Sequence, residues 1–172
     1  MQRPKLYILT GLPYSGKTTL RKALVERLHS EAVSVDEIMH AKDMWREGHP
    51  TQEDWDAAYT EAYRRIEAAL QQGKTVIFDC ANLPYRERAN ARAIAEKVGV
   101  QNVLIYLNVS KEEILRRRSE NAETKARGHL DDEMMNTAFK LFEEPTKEEQ
   151  PILYNQHLDL DEWITTLLDQ QG

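Results

Sequence analysis

Lys5-Leu6-Tyr7-Ile8-Leu9-Thr10-Gly11-Leu12-Pro13-Tyr14-Ser15-Gly16-Lys17-Thr18-Thr19-Leu20 decides the fold of this chain. Residues 6–9 form a short apolar run, read as a buried strand that closes at a glycine. Residues 11–18 then match G-x-x-x-x-G-K-[ST], the phosphate-binding loop pattern. After the loop, Leu20, Ala23, Leu24 and Leu28 recur at helical spacing through 17–29. Strand, loop and helix in that order are the context the pattern requires. Gly11 and Gly16 permit backbone conformations that turn successive N–H groups inward as an anion nest. The start of the helix adds its positive end beneath the phosphates. Lys17 reaches the β- and γ-phosphates, and the Thr18 hydroxyl is suited to Mg²⁺. Gly11, Pro13, Tyr14, Ser15, Gly16, Lys17, Thr18 and Thr19 are the expected ATP-binding residues.

Outward from the loop, strands and helices alternate. Residues 31–35 read as a second strand and 75–79, Thr-Val-Ile-Phe-Asp, as a third and clearest one. Residues 103–107 give a fourth, and 157–160 a fifth. Asp36 is placed to cap a helix through Ile38, Met39 and Trp45, which Gly48-His49-Pro50 breaks. Thr51 with Asp54 predicts a capping box for a long helix to about Gln72. That helix carries Trp55, Ala58, Ala62, Ile66 and Ala69 on one face and ends at Gly73. Pro84 suits the first turn of a helix that stops at Gly99. Ser110 and Glu113 predict a second capping box, for a helix with Ile114 and Leu115. Residues 119–129 are polar and aperiodic. Helical spacing returns at Met134, Ala138, Leu141 and Phe142, and again at Trp163, Ile164, Leu167 and Leu168. Such alternation predicts an α/β fold of βαβ units, with about five parallel strands between helices. The expectation is a single domain over 1–172 with a lid at about 119–130.

Composition narrows the function classes. With 172 residues and 41% hydrophobic content, the chain can bury a sizeable core. Cys80 is the lone cysteine, so no disulfide framework and no zinc site on paired cysteines can form. It reads as a small buried hydrophobe. No run approaches the length of a membrane helix, and the polar start is unlike a signal peptide. A cytoplasmic protein is the expectation. The net charge of −6 argues against sequence-blind nucleic-acid binding.

Other residues bear on the reaction. Asp79 ends a buried strand, where the second acid of phosphate-loop proteins binds Mg²⁺ directly or through water. Capping the following loop is its other reading. Asp36 combines a helix cap with the position of a general base at a strand end. Arg116, Arg117 and Arg118 complement a helix C-terminus. Leading into a polar lid that holds Lys125 and Arg127, they also suit closure over a triphosphate. Three consecutive helical positions point in different directions, so not all can face inward. Trp45, Trp55, Tyr59 and Tyr63 read first as core, and second as walls of an acceptor pocket. The five histidines show no metal-ligand spacing. Asp79 is followed by Cys80-Ala81-Asn82 rather than by x-x-Gly, and no Asn-Lys-x-Asp motif occurs, which disfavours a switch GTPase.

The order of motifs resembles a known family. The loop is followed by Val33-Ser34-Val35-Asp36, then Thr75-Val76-Ile77-Phe78-Asp79 with Asn82 and Arg88. An Arg-rich helix, a lid and Phe142-Glu143-Glu144-Pro145 complete the series. This is similar to the small P-loop kinases grouped with polynucleotide 5′-hydroxyl kinases, zeta toxins and chloramphenicol phosphotransferase, with an AAA-type ATP-binding domain. The resemblance implies a parallel core of the adenylate-kinase type and transfer of the ATP γ-phosphate to a hydroxyl. It implies Asp36 as the base, Asp79 as the third-strand acid, and Arg118 and Arg127 as lid arginines on the transferred phosphate. Polynucleotide kinases of the group carry an arginine three residues after the base. Here that residue is Met39, which speaks against a nucleic-acid acceptor.

The reading is an ATP- and Mg²⁺-dependent phosphotransferase acting on a small-molecule hydroxyl acceptor. Lys17, Asp36, Arg118 and Arg127 are its expected catalytic residues, and Thr18 and Asp79 its metal residues. An ATP hydrolase or a nucleotide-binding switch module shares every loop residue and is the rival.

Overall fold

The computed structural model describes residues 3–45 and 49–171. Five parallel strands form one sheet: β1 (Lys5–Thr10), β2 (Glu31–Ser34), β3 (Val76–Asp79), β4 (Gln101–Leu107) and β5 (Ile152–Tyr154), in the order β2-β3-β1-β4-β5. The helices are α1 (Lys17–Leu28), α2 (Val35–Ala41), α3 (Gln52–Gln71), α4 (Tyr85–Val98), α5 (Lys111–Thr124), α6 (Asp132–Leu141) and α7 (Leu160–Gln171). A 3₁₀ turn, Lys147–Glu149, precedes β5.

The period-two alternation of the strands divides the core. Leu6 and Ile8 of β1, Val76 and Phe78 of β3 and Leu104 of β4 face the side covered by α2, α3 and α4. Tyr7, Leu9, Ile77, Val103 and Ile105 face the side covered by α1 and α7, through Leu20, Leu24, Ile164 and Leu167. A parallel sheet needs both faces covered, and the near-continuous apolar strands reflect that. A third cluster joins Tyr14 of the loop to Val109, Ile114 and Met135, so α5 and α6 are anchored on the phosphate loop itself. No described helix is long and apolar enough to cross a membrane.

Several local expectations change. Ser34, not Asp36, caps α2: its hydroxyl accepts from the Glu37 N–H at 3.3 Å. The Ser34-x-x-Glu37 spacing is the capping-box signature, and it leaves the Asp36 side chain unused by the cap. The helix ends at Ala41, short of Trp45, and Gly48 of the expected break lies outside the described residues. The Thr51–Asp54 box forms in full. Ser110 accepts from Glu113 N–H, but the Glu113 carboxylate turns to Arg116 and Arg117 instead of closing a box. Residues 119–124, expected in an aperiodic polar lid, are the last turns of α5, which Lys125 ends in a left-handed conformation. Ion pairs from Arg116 to Glu113 and Glu120 support a helix with little apolar face, so hydrophobic periodicity could not reveal it. The fifth strand is Ile152–Tyr154 rather than 157–160. There Asp159 accepts from Glu162 N–H and opens α7, a capping signal present in the sequence.

Candidate active site

The phosphate loop joins the C-terminal end of the central strand β1 to α1, which puts it at the C-terminal edge of the sheet. Its two glycines are required for different reasons. Gly16 has φ +99°, a left-handed conformation that costs a β-carbon, while a Cβ there would meet only Arg117 Nη1 at 3.7 Å. Gly11 has no such φ. A Cβ on it would lie 2.8 Å from Ser15 Oγ and 3.1 Å from the Leu107 carbonyl, so close approach and not dihedral freedom demands glycine. Tyr14 is held at φ 64°, an uncommon conformation for a residue with a side chain.

Lys17 folds back over the loop. Its ammonium donates to the carbonyls of Gly11 at 2.7 Å and Leu12 at 2.9 Å and lies 3.4 Å from Ser15 Oγ. Burial lowers its pKa to about 8, against the opposing charge of Asp79 and, more weakly, Asp36. Among the described residues it forms no ion pair. A half-buried cation held only by carbonyl and hydroxyl dipoles, at the start of a helix, fits an anion such as a nucleotide phosphate.

Thr18 and Thr19 are exposed at the start of α1 and line a cleft of about 950 Å³. Asp79 closes β3 and is buried. Burial raises its pKa, and the charges of Arg21 and Lys17 oppose the rise. Arg21, one turn beyond Thr18 on α1, holds Asp79 at 3.2 Å and Glu37 at 2.6 Å. No three His, Cys, Asp or Glu side chains among the described residues form a metal cage. Thr18 lines the cleft, whereas Asp79, held by Arg21, does not, so a Mg²⁺ here would take most of its ligands from phosphates and water.

Asp36 lines the same cleft with an exposed carboxylate that makes no hydrogen bond or ion pair among the described residues. His40 and Trp45 continue this wall.

The three consecutive arginines separate by direction, as the helix requires. Arg116 points outward to Glu113 and Glu120. Arg117 is the one beside the loop: Glu113 holds its Nε at 2.8 Å, and its Nη1 donates to the Tyr14 carbonyl at 3.1 Å. Arg118 donates to the Leu130 carbonyl at 2.9 Å and pairs with Asp132, and it is absent from the cleft lining. Arg127 lies over the Tyr14 ring at 4.6 Å and lines the cleft. The Leu130 N–H also donates to the Tyr14 hydroxyl at 3.0 Å, so segment 125–131 is tied to the loop through one residue. Among the expected arginines, therefore, the fold brings Arg127 and Arg117 to the loop and turns Arg118 to the base of that segment.

The aromatic residues divide as well. Tyr59 and Tyr63 pack on Phe78 in the core. The Tyr59 hydroxyl donates to Glu87 at 2.5 Å and sits 2.7 Å from Cys80 Sγ, a polar cluster that no sequence spacing announces. Burial pushes the Cys80 thiol far up, so it is inert. Asn82 and Arg88 act inside the fold. Arg88 is fully buried, pairs with Glu149 through two nitrogens, and donates to the carbonyls of Asn82 and Leu83.

Comparison with known proteins adds to this geometry. Residues 6–145 match the sequence profile of a family described as AAA domain. An L-seryl-tRNA(Sec) kinase of Methanococcus maripaludis is 29% identical over 145 residues, covering 81% of this chain and 53% of the relative. The chain thus spans about half the length of that relative. A probable adenylyl-sulfate kinase of Aeropyrum pernix is 29% identical over 127 residues, 72% of this chain and 69% of the relative. Among solved structures, the Mycobacterium tuberculosis APS kinase in complex with AMPPNP and APS superposes with a TM-score of 0.73 at 16% identity, over 98% of each chain, a likeness of fold.

Proposed function

This chain belongs to the AAA domain family that residues 6–145 match, and from that premise we propose that it is an ATP-dependent phosphotransferase moving the γ-phosphate to a hydroxyl of a small-molecule acceptor. One observation carries the reading: the loop whose carbonyls hold the half-buried Lys17, ion-pair-free among the described residues, lines, through Tyr14, Gly16 and Thr18, the same cleft as an uncommitted carboxylate, Asp36. The relatives named as kinases support the same class of reaction.

In this reading Asp36 accepts the proton of the acceptor hydroxyl as its oxygen bonds to Pγ. The bond from Pγ to the β–γ bridging oxygen breaks, and ADP leaves. The transition state is loose, so positioning and charge stabilisation supply most of the acceleration. Lys17 and the loop amides hold the β- and γ-phosphates, and Gly11, Pro13, Tyr14, Ser15, Gly16, Thr18 and Thr19 shape that cradle. Arg127 and Arg117 close over the phosphates from the lid side, with Arg118 fixing the lid base at Leu130. Thr18 and Asp79 would hold Mg²⁺, which when bound neutralises charge on the β- and γ-oxygens. The single domain spans 1–172, its lid formed by the end of α5 and segment 125–131. Met39, at the place of the polynucleotide kinases' arginine, is fully buried, which with the net charge of −6 disfavours a nucleic-acid acceptor. A cytoplasmic setting, where ATP is available, goes with this reading.

The test follows labelled γ-phosphate from ATP with Mg²⁺ across a panel of hydroxyl compounds. Label on an acceptor, far above release to water, is the expected result. Asp36→Asn should then cut transfer by about 10²–10⁴-fold while ATP affinity changes little. Release only as free phosphate, still dependent on Lys17, would move the assignment to a hydrolase.

A further inference from the structure

We infer that His40 is the specificity-determining residue for the acceptor, and that the acceptor is a polyol whose reacting hydroxyl has a second hydroxyl beside it. The inference rests on the phosphotransferase reading and concerns the acceptor wall of the same cleft.

Asp36 and His40 stand four residues apart on α2, so their side chains rise from one face, roughly 5–6 Å apart at Cβ. Both line the cleft, and among the described residues neither side chain has a hydrogen-bond or ion-pair partner. A carboxylate and an imidazole at this spacing converge on two neighbouring oxygens of one ligand. Asp36 takes the hydroxyl that attacks, and His40 takes the next.

The imidazole is not a loose surface group. Its ring stacks on Trp45, centroids 5.8 Å apart at 24°, and Trp45 in turn meets Trp55 edge-on at 6.1 Å. Trp45 and Trp55 of this row pack against the core, and the exposed His40 ring rests on its outer end. Trp45 also gives the wall an apolar face against which the carbon skeleton of a ring or chain polyol can lie.

Hydrogen bonding decides the class. Asp36 and His40 line one cleft with Trp45 between them and the core, and a pair of neighbouring hydroxyls offers a donor to the carboxylate and a partner to the imidazole at once.

The test uses the full chain, ATP with Mg²⁺, and label transfer to myo-inositol, D-glucose, glycerol and adenosine, beside L-serine and ethanol. Label on one of the polyols is expected. The preferred polyol is then compared with its analogue lacking the neighbouring hydroxyl, on the unaltered chain, which needs no variant to fold. That deletion should raise acceptor KM about tenfold and leave kcat within about threefold. His40→Phe, which keeps the stack on Trp45, should raise KM for the full polyol by the same factor and add nothing for the deoxy analogue. His40→Gln, which retains a hydrogen-bonding amide, should recover most of the loss. Additive losses, or an unchanged KM in both His40 variants, would overturn the inference. So would label appearing only on ethanol or serine, which would leave the phosphotransferase reading intact. Release as free phosphate with every compound would overturn that reading and this inference with it.

Discussion

Alanine at position 11 and alanine at position 16 break the same loop by different physics, and the two can be told apart. At Gly11 the new methyl collides with Ser15 Oγ at 2.8 Å and the Leu107 carbonyl at 3.1 Å. Overpacking of this kind costs about 1–3 kcal/mol and displaces the residues that hold Lys17. At Gly16 the space is open, and the cost, about 1–2 kcal/mol, is the left-handed backbone. Removing the Ser15 side chain in a Gly11→Ala/Ser15→Gly double variant should therefore recover part of the lost stability. The same Ser15 change should leave the Gly16→Ala loss standing, as thermal unfolding of the six proteins of the two cycles, the unaltered chain and Ser15→Gly included, would measure. Equal recovery in both would contradict the steric account of Gly11. Lys17→Ala removes the half-buried cation that folds over the loop, and label transfer should fall at least about 100-fold. At this scale the loop was fully legible in the sequence, because every residue of the pattern is contiguous. The reason for Gly11 was not, since its clash with Ser15 Oγ depends on how the loop folds and its clash with the Leu107 carbonyl on β4, far along the chain.

Elements show how local signals compete. Both Ser34 and Asp36 are cap-forming residues at the end of β2, and the helix begins where the strand register with β3 stops at Ser34–Asp79. The pairing partner thus chose between two good caps. Ser34→Ala should cost about 1 kcal/mol of stability, while Asp36→Ala should not show that cap loss. Urea unfolding of the two variants checks this. The loop before α3 and the start of α6 meet through His49, whose Nε2 lies 2.6 Å from Asp131. That hydrogen bond, with the carboxylate charge, holds the His49 pKa above its ordinary value. Asp131 is held below its ordinary value by the Met134 N–H first and by His49 second. The signs define a window. The histidine contribution is complete below its unfolded pKa of about 6.5 and is lost as pH rises through the raised folded value. The aspartate contribution is present above about 3.9 and is lost as pH falls through its depressed folded value. Asp131→Asn should return the His49 midpoint toward the ordinary value in a proton NMR titration. An identical midpoint in both proteins would mean that the pair does not form in solution.

For the molecule as a whole, the segment after α6 is locked to α4 by Glu149 and two arginines. Glu149 accepts from Arg88 at 2.9 and 3.0 Å and from Arg92 at 2.6 Å, with side chains of Arg88 and Glu149 0% and 3% exposed. Burial opposes ionisation of Glu149, yet the bonds from Arg88 and Arg92 hold its pKa at about 2. Glu149→Gln would leave the Arg88 charge uncompensated, at a cost of about 3–5 kcal/mol. For a chain of this length that is a fall in Tm of about 10–15 °C, read by calorimetry. A drop of only a degree or two would mean that water reaches Arg88 in the variant. The sequence by itself determined the phosphate loop, the alternation of strands with helices, the parallel sheet and the Thr51–Asp54 cap, because each is written within a few consecutive residues. Tertiary structure decided the rest. Arg88 meets Glu149 across 61 positions, and Arg117 meets Tyr14 across 103. Three arginines in a row differ only in angle about the helix, about 100° from one to the next. Which of them faces the loop is fixed by where α5 docks on Tyr14, Val109 and Met135. The fifth strand needed β4 beside it to become a strand at all. Such choices depend on surfaces that exist only once distant segments are packed together.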